Sequence, residues 1–412
     1  MKVLQINIFF DEGSTGKIVA DIHTRLLRDG HESYVVFGLG KHKVKDDPEH
    51  LYRTTTDHSG LFYRRISRII TGLRFNVAYW ETYKLLRHIK QINPDIVHLH
   101  CLNEGYINPY VLLKYLGKHC YPVLVTNHAD ITMSANCEHA FECKKWKTGC
   151  GKCPTVKKEK RSYFIDNTHL SWIQMKKAFS FVKFLYASGV SDWMSNRVVQ
   201  SPFFKNRECR TITNGLDTDA FKYRPSSSLR QKYGFSEDDK IVLHVTPQFS
   251  AEIKGGKYII EIAKKMPQIK MIIVGITEKE SVGLPTNVIA VNHTDSREVL
   301  SEYYSMADVT LLTSYRESFS MVTAESLCCG TPVVGFKAGG PETISIHEYS
   351  QFVEYGDTEA LENAINVTIK NNHDKSAISE VARAKYNAES MYQGYLRYYL
   401  DILISKNRQI NS

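Results

Sequence analysis

The 412-residue chain is 42% hydrophobic and 24% charged, the proportions of a folded globular protein, which exclude a disordered or fibrous one. A length of 412 residues exceeds what one hydrophobic core usually serves and predicts two domains. Charges break every apolar run before the roughly 18 to 20 residues that a membrane-spanning helix needs. The N-terminal stretch 1–16 has no signal-cleavage pattern and predicts a first strand, so we expect a cytoplasmic protein.

The net charge of +9 is unevenly distributed along the chain. Residues 1–200 contain 29 Lys and Arg against 18 Asp and Glu, whereas residues 201–412 contain 24 against 26. A basic first half suits an anionic membrane surface or a nucleic acid. No nucleic-acid-binding motif accompanies the charge, so we expect no nucleic-acid partner.

Short β-branched runs alternate with helix-period segments along the whole chain. The first half contains KVLQINIFF, SYVVFG, DIVHLH, PVLVTNH and FLYASGV, and the second contains KIVLHVT, KMIIVG, NVIAVNH, DVTLLTS, TPVVGF and QFVEY. Between the first two runs, Ile18, Ile22 and Leu26 lie four residues apart on one helical face. Strand and helix in alternation predict an α/β protein with two parallel sheets, whose ligand crevices lie at the carboxyl ends of the strands.

We predict the domains as 1–203 and 204–389. The boundary falls after Ser201-Pro202, and CRTITNGLDTDAF, from residue 209, would open the second sheet. The aromatic-rich segment that starts at Ser390 predicts one long closing helix.

A glycine-containing loop, DEGSTG, joins the first predicted strand to the first helix. Gly16 would allow the backbone to approach a phosphate closely, which makes it a candidate donor-binding residue. The loop does not match a P-loop, because Asp11 replaces the first glycine and Ile18 follows Lys17. Nucleotide hydrolysis is therefore disfavoured.

Segment 61–80, LFYRRISRIITGLRFNVAYW, mixes apolar residues with Arg64, Arg65, Arg68 and Arg74. The pattern predicts a basic amphipathic helix. Such a helix can lie on anionic lipid, and a solvated helix packed on its own domain remains the alternative.

Four cysteines crowd into CEHAFECKKWKTGCGKCP, namely Cys137, Cys143, Cys150 and Cys153. Cys-x-x-Cys is a metal-binding spacing, and in a cytoplasmic protein a structural zinc is favoured over disulfides. Reduced, packed thiols are the alternative. Cys328 and Cys329 fall in a predicted buried helix, where they would pack as small apolar groups.

The stretch SYRESFSMVTAESLCCGTPVVGFKAGGPE, residues 314–342, follows the apolar run DVTLLT. Glu317 lies in a strand-to-helix loop, and Glu325 lies eight residues later in a predicted helix, Met321–Cys329. The stretch resembles the signature of the retaining GT-B glycosyltransferases of family 4. Two solvated glutamates at a helix edge are the structural alternative.

The resemblance implies a GT-B fold, in which two Rossmann-like domains face a cleft and a C-terminal helix, here 390–412, returns to the N-terminal domain. It implies that Glu325 accepts hydrogen bonds from the donor's ribose and that Glu317 lies against the donor sugar. The helix start would bind the diphosphate through Ser320, Met321 and Val322. Ser320 stands where the family usually has glycine.

Lys254, in SAEIKGGKYII, resembles the family's Lys-Gly pair that holds the diphosphate. The family usually has an arginine a few residues earlier, but this chain reads TPQFS there, so Gln248 or another cation would substitute. A surface lysine is the alternative for Lys254.

His128 ends the run PVLVTNH, where the family places a histidine that contacts the donor sugar. It joins Lys254 and Glu317 as a predicted catalytic residue. His100 and Asn103 follow the neighbouring run DIVHLH and are expected on the acceptor side. An ordinary structural histidine is the alternative for both His100 and His128.

The resemblance implies retaining transfer from a nucleoside-diphosphate sugar, expected to be UDP-linked. The acceptor would be a lipid-linked saccharide in bacterial polysaccharide synthesis, met at the inner face of the plasma membrane. No cofactor is required for catalysis. A nucleotide-sugar epimerase of the same fold is the alternative enzyme, and a membrane-bound scaffold is the alternative outside enzymes.

Overall fold

The computed structural model describes residues 1–54, 58–157, 162, 164–225, 227–294 and 296–411. The chain forms two compact units. The N-terminal unit contains Met1–Ile212 and Tyr392–Ser412, and the C-terminal unit contains Thr213–Met391.

The described part of the N-terminal unit contains a seven-stranded parallel sheet with the order β3-β2-β1-β4-β5-β6-β7. Its strands are β1 (Lys2–Asn7), β2 (Glu32–Phe37), β3 (Leu51–Arg53), β4 (Ile96–Leu99), β5 (Val123–Asn127), β6 (Leu185–Gly189) and β7 (Cys209–Thr211). The helices between them are α1 (Gly13–Arg28), α2 (His58–Thr71), α3 (Tyr79–Ile92), α4 (Pro109–Lys118), α5 (Ile131–Ser134), α6 (Thr168–Ser180) and α7 (Asp192–Val198).

The described part of the C-terminal unit contains a six-stranded parallel sheet with the order β10-β9-β8-β11-β12-β13. Its strands are β8 (Ile241–Val245), β9 (Lys270–Val274), β10 (Val288–Val291), β11 (Val309–Leu312), β12 (Val333–Phe336) and β13 (Ser350–Val353). Its helices are α8 (Ser227–Tyr233), α9 (Gly256–Lys265), α10 (Arg297–Met306), α11 (Met321–Cys328), α12 (Gly340–Ile344), α13 (Thr358–Lys370) and α14 (Lys375–Tyr386), and α15 (Ala388–Asn411) follows them.

The strand order reverses at one point in each sheet, between β1 and β4 and between β8 and β11. Chain connections leave the sheet toward opposite faces on either side of such a point, so a crevice opens outside the carboxyl ends of those strands. These two places are where a ligand is expected in each unit.

The sequence prediction of the domain boundary placed one short strand in the wrong sheet. Cys209–Thr211 does not open the second sheet, because its residues pair with Ala187–Gly189 of β6 in the first sheet. The units divide after Ile212, whereas the predicted boundary lies at residue 203. Strand β3, which was not predicted, pairs with Val35–Phe37 of β2.

The prediction of one helix over 61–80 was wrong, because α2 ends at Thr71 and α3 begins at Tyr79. Gly72 has a φ of +66°, and a Cβ there would lie 2.5 Å from the backbone oxygen of Ile165. The chain then turns inward, so Arg74 and Phe75 are only 5% and 1% exposed. A left-handed glycine and the buried segment that follows it interrupt the helical pattern.

Helix α15 confirms the predicted return of the C-terminus to the N-terminal unit. Tyr392, Tyr395, Tyr398 and Tyr399 are fully buried. The Tyr392 hydroxyl donates to Asp29, 2.7 Å away, and the Tyr398 hydroxyl donates to the backbone of Ala187 at 3.1 Å. Among the helices of the described residues, none has both the length and the apolar character needed to cross a membrane.

Candidate active site

An ion pair stands at the reversal point of the C-terminal sheet. Lys254 follows β8 and Glu317 follows β11, the two strands on either side of the reversal. The Lys254 Nζ atom lies 2.7 Å from Glu317 Oε1, with the two side chains 29% and 20% exposed. The structure therefore brings together these two predicted catalytic residues at the edge where a ligand is expected.

The loops that carry this pair are locked to one another by backbone contacts. The amide of Tyr315 donates to the carbonyl of Ile253 at 2.8 Å, and the Thr313 hydroxyl donates to the carbonyl of Lys254 at 3.0 Å. Gly255 has a φ of +69°, and a Cβ there would lie 2.1 Å from the Thr313 oxygen. Only glycine fits this close approach, so the residue that follows Lys254 is set by the loop geometry.

A third loop, after β12, holds Glu317 from its other side. The amide of Glu317 donates to the carbonyl of Ala338 at 3.1 Å, and the amide of Gly340 donates to the carbonyl of Glu317 at 2.9 Å. A Cβ on Gly340 would lie 2.3 Å from the oxygen of Ser318. Glycine at position 340, the first residue of α12, is thus needed for close packing against the Glu317 loop.

Glu325 lies in α11, as predicted, and is held by a buried tyrosine. The Tyr304 hydroxyl donates to Glu325 Oε2 at 3.0 Å. Burial raises the pKa of Tyr304 well above its ordinary value, and the charge of Glu325 acts in the same direction. Tyr304 therefore stays protonated and remains a hydrogen-bond donor that orients the carboxylate.

The N-terminus of α11 combines a cap with an unusual backbone conformation. Ser320 is the N-cap residue, with a φ of +80°, and its hydroxyl accepts from the Thr323 amide at 3.2 Å. Met321 and Val322 begin the helix and are partly exposed. Their free amides and the helix dipole suit an anion at this end. The left-handed backbone explains why glycine is usual where this chain has serine.

Among the described residues, no contact identifies a substitute for the arginine that the family usually has a few residues before Lys254. Gln248 is exposed in the turn after β8. His244, in β8, contacts the carbonyl of Leu311 at 2.9 Å, and burial lowers its pKa to about 4. His244 is therefore neutral at pH 7 and adds no positive charge beside Lys254.

In the N-terminal unit, Gly16 packs against its own loop. A Cβ there would lie 3.2 Å from the Cβ of Phe9 and 3.3 Å from the Asp11 nitrogen, and the Asp11 amide donates to the Gly16 carbonyl at 3.0 Å. These contacts explain why residue 16 is a glycine, and the explanation requires no bound ligand. Its predicted contact with the donor stays a prediction.

Three histidines meet at the carboxyl ends of β4 and β5 in the N-terminal unit. His100 Nδ1 lies 3.1 Å from His128 Nε2, and the rings of His98 and His100 have centroids 3.9 Å apart. His98 and His100 are almost completely buried, and burial lowers both of their pKa values well below the ordinary range. Burial also lowers the pKa of His128 to about 4. All three rings are thus neutral at pH 7.

Asn103, three residues after His100 in the sequence, lies beside a carboxylate that the sequence did not indicate. Burial acts to raise the pKa of Glu138, but Arg74 and a hydrogen bond from Asn103 outweigh it and lower that pKa. Arg74 pairs with Glu138 and also lies 3.6 Å from Glu104. The arginine that was predicted to face a membrane is therefore buried, with its side chain at 4% exposure, and is paired with two carboxylates that are 40% and 41% exposed.

The cysteine-rich loop is held by ordinary protein contacts. Arg197 Nη2 donates to the buried Asp130 at 2.8 Å, and the indole of Trp172 donates to the Trp146 carbonyl at 2.9 Å. Within the described ranges, no three or more His, Cys, Asp or Glu side chains are placed to hold a metal ion. Zinc bound by Cys137, Cys143, Cys150 and Cys153 stays a prediction, which metal analysis of protein purified without added metal would test.

Two family models match the chain. The model for Glycosyltransferase Family 4 matches residues 15–220, and the model for Glycosyl transferases group 1 matches residues 226–389. The chain belongs to glycosyltransferase family 4. It is a transferase enzyme, with the α/β GT-B fold that the motif indicated.

This family 4 glycosyltransferase is similar over its whole length to one curated relative. It is 23% identical over 432 residues to the putative colanic acid biosynthesis glycosyl transferase WcaC of Escherichia coli, covering 98% of this chain and 100% of the relative. The N-acetyl-α-D-glucosaminyl L-malate synthase of Bacillus anthracis is 25% identical over 213 residues, which are 48% of this chain and 55% of that one.

Solved structures share the fold of this glycosyltransferase at low sequence identity. The sucrose-phosphate synthase of Thermosynechococcus elongatus matches with a TM-score of 0.68 and 17% identity, covering 98% of this chain and 99% of that one. Anabaena HepE, solved in complex with UDP, matches with a TM-score of 0.63 and 17% identity, covering 97% and 100%.

Two site residues had no sequence signal of their own. Tyr304 is one of two adjacent tyrosines in α10, and Glu138 shares a lysine-rich loop with a second acidic residue, Glu142. Their partners, Glu325 and Arg74, are distant in sequence, so only the folded chain shows the pairing.

Proposed function

We propose that this glycosyltransferase moves a sugar from a nucleoside-diphosphate donor, UDP-linked, to a lipid-linked saccharide, with retention of configuration at the transferred carbon. The observation that supports this most directly is the Lys254–Glu317 pair at the reversal point of the C-terminal sheet. A cation, a carboxylate and a helix N-terminus converge there, as a donor with a diphosphate and a sugar requires.

In this proposal each residue of the C-terminal site has one role. Lys254 and the free amides at Met321 and Val322 neutralise the diphosphate. Glu317 accepts hydrogen bonds from the donor sugar. Glu325, oriented by Tyr304, accepts hydrogen bonds from the two ribose hydroxyls, because a carboxylate is a strong acceptor for paired hydroxyl donors.

The proposed reaction needs no protein nucleophile. The bond between the sugar's anomeric carbon and the phosphate oxygen breaks, and the acceptor oxygen bonds to that carbon on the same face. The acceptor's proton passes to the leaving phosphate oxygen. Fixed positive charge at Lys254 stabilises the charge that grows on the diphosphate, which is the main way that such a site lowers the barrier.

The named relatives support the class of donor and the biosynthetic role. HepE, which has a similar fold, is described in complexes with UDP and with UDP-glucose. WcaC, matched along its full length, is named for colanic acid biosynthesis. We therefore propose a role in the assembly of a bacterial polysaccharide.

A panel of nucleoside-diphosphate sugars tests the proposal. Binding of the correct donor should raise the unfolding temperature, because a ligand at a hundredfold excess over its Kd stabilises by about 2.7 kcal/mol. Slow release of free sugar without acceptor, and an NMR-defined product with retained configuration, support retaining transfer. Formation of an isomeric nucleotide sugar would instead show an epimerase, and neither product would favour a scaffold.

We also propose that α2 docks on an anionic membrane that presents the acceptor. Phe62, Ile66 and Ile70 lie four residues apart on one helical face and are 65%, 38% and 55% exposed, and Tyr63 beside them is 78% exposed. Arg65 is exposed on the same helix, and residues 1–200 carry 29 basic against 18 acidic side chains. Apolar side chains on a basic unit are complementary to an anionic lipid surface.

This surface differs from the arginine-based one predicted from sequence. Arg64 is paired with Glu81, Arg68 is 9% exposed and Arg74 is 5% exposed, so these three are not available to lipid headgroups. Insertion of apolar side chains therefore contributes more than charge.

Co-sedimentation with vesicles containing phosphatidylserine tests the docking surface. Replacing Phe62, Tyr63 and Ile70 by Ser should reduce the bound fraction strongly. Val199→Ser, which removes another exposed apolar side chain of the same unit, should leave it unchanged. Equal binding by both variants, or no binding by the unmodified protein, would contradict docking through α2.

A further inference from the structure

The hydrogen bond between His100 and His128 constrains where each ring carries its hydrogen. The two rings share one contact, from His100 Nδ1 to His128 Nε2 at 3.1 Å, and a hydrogen bond there needs one hydrogen between the two nitrogens. Either His100 is the donor, or His128 is. The choice decides what the remaining ring nitrogen of His128 presents to a ligand.

The other nitrogen of His100 separates the two arrangements. His100 Nε2 is buried and has no hydrogen-bond partner in the part of the chain that the structure describes. If His128 donated, the neutral His100 would carry its hydrogen on Nε2, leaving a buried N–H unpaired. If His100 donates from Nδ1, its Nε2 is an unprotonated acceptor. Orphaned buried N–H groups are the rarer and more costly defect in proteins.

His98 cannot relieve this defect, although its ring lies against that of His100, with centroids 3.9 Å apart. Its Nδ1 contacts the Tyr399 hydroxyl at 2.7 Å, and its Nε2 contacts the Thr126 hydroxyl at 2.7 Å. Both nitrogens of His98 are therefore already occupied by contacts with hydroxyl groups. Burial lowers the pKa values of His100 and His128, so a doubly protonated ring does not offer a third arrangement at neutral pH.

We infer that His100 fixes the tautomer of His128, so that His128 accepts at Nε2 and carries its hydrogen on Nδ1. His100 is then a positioning residue, and His128 presents an N–H donor to an oxygen of its ligand. The identity of that oxygen rests on the proposed function, in which it belongs to a sugar hydroxyl. The tautomer itself follows from the His100 contacts and does not depend on any substrate.

Nitrogen-15 NMR reads the tautomer directly. Protein labelled with 15N-histidine at pH 7.5 should show His128 with a pyrrole-type Nδ1 and a pyridine-type Nε2. The His128 signals are those that disappear in His128→Asn. A pyridine-type Nδ1 at His128 in the unmodified protein would overturn the inference, whatever the enzyme's activity.

Two substitutions at His100 separate positioning from packing. His100→Asn can supply an Nδ2–H in place of the Nδ1–H and should keep the His128 tautomer. His100→Leu fills the site without a donor and should shift His128 toward the Nε2–H form. If both variants fold, by circular dichroism, and both leave the His128 tautomer unchanged, His100 does not set it.

Activity measurements then test whether the Nδ1–H of His128 contributes to sugar transfer. His128→Asn, which can place an amide N–H near the Nδ1 position, should keep at least tenfold more kcat/KM than His128→Leu. Equal loss in the two variants, with the NMR result standing, would contradict the use of this N–H in transfer. Absence of any sugar transfer by the unmodified enzyme would contradict the proposed function but not the tautomer.

Discussion

The reversal point of one sheet carries charged side chains, whereas that of the other leads to neutral ones. In the C-terminal unit, the point between β8 and β11 carries the partly exposed ion pair of Lys254 and Glu317. In the N-terminal unit, the point between β1 and β4 leads into the buried neutral rings of His98 and His100. One fold has therefore been adapted for charge in one unit and for uncharged hydrogen bonding in the other.

Because of this difference, substitutions at one place should change activity alone, and substitutions at the other should change both activity and stability. Lys254 and Glu317 lie in backbone-locked loops and remain in contact with solvent, so their replacement should leave the fold intact. The histidines are tied to α15 through Tyr399, so their replacement affects packing and chemistry together. Changes at the two places should give different patterns of activity and stability.

The largest effect is expected from Lys254→Ala, which removes the positive charge from the C-terminal reversal point. Turnover should fall by about 100-fold or more, as it does when other charge-stabilising groups are removed, with a smaller loss of donor affinity. Initial rates at saturating donor measure this. Lys240→Ala, before the opposite end of β8, is the control and should behave normally. Unchanged turnover in Lys254→Ala would show that another cation does this work.

Glu325→Gln should weaken donor binding by about 10- to 100-fold, since hydrogen bonds to charged groups contribute about 1.5 to 3 kcal/mol. Tyr304→Phe should weaken binding less, because the carboxylate stays but loses its orienting donor. Isothermal titration with the donor measures both. The exposed Glu237→Gln is the control. If Tyr304→Phe bound the donor normally, Glu325 would not depend on its buried partner.

Lower pH should destabilise the N-terminal unit more than the C-terminal unit. Burial lowers the pKa values of six histidines in the first unit and of His244 in the second; the six are His23, His31, His88, His98, His100 and His128. The unfolded chain takes up protons as the pH falls through about 6.5, whereas folded His128 stays neutral until about pH 4, so stability is lost within that window.

Tryptophan fluorescence can follow the first unit alone, because all four tryptophans, Trp80, Trp146, Trp172 and Trp193, lie in it. Between pH 7.5 and pH 5, its melting temperature should fall more than that of any further transition seen by far-UV circular dichroism. Equal shifts in the two signals would contradict the contrast between the units.

The smallest effect is expected at Ser320. Ser320→Gly should raise the free energy of unfolding by about 0.5 kcal/mol, because relief of the left-handed backbone outweighs the few tenths lost with the cap. Ser320→Ala keeps the strain and loses the cap, so it should cost about 1 kcal/mol. Thermal unfolding of the two variants gives the difference, and an Ala variant as stable as the Gly variant would exclude backbone strain.

Much of the fold was predictable because strand and helix alternate with clear periods. The predicted apolar runs correspond to eleven of the strands, and the Glu317–Glu325 spacing located the C-terminal site. Strand β3 was missed and β7 was assigned to the wrong sheet, because each has three residues and depends on pairing with a neighbour. The break at Gly72 was missed because the apolar pattern continues through it.

The site was less predictable where partners come from distant parts of the chain. Glu317 and Lys254 were recognised from local motifs, and the structure pairs them. Arg74 was interpreted as a surface charge, because nothing near it in sequence indicates its ion pair with Glu138, 64 residues away. A local pattern shows which residues carry charge, but the fold decides which charges neutralise each other.

Helix α15 has a consequence for the order in which the chain can fold during synthesis. His98 meets Tyr399 across 301 residues, so the N-terminal unit lacks its closing tyrosines until α15 has left the ribosome. The C-terminal unit, which ends at Met391, has all of its strands before that moment. The half that is made first is therefore the half that finishes last, and a premature stop near the C-terminus would damage the N-terminal unit.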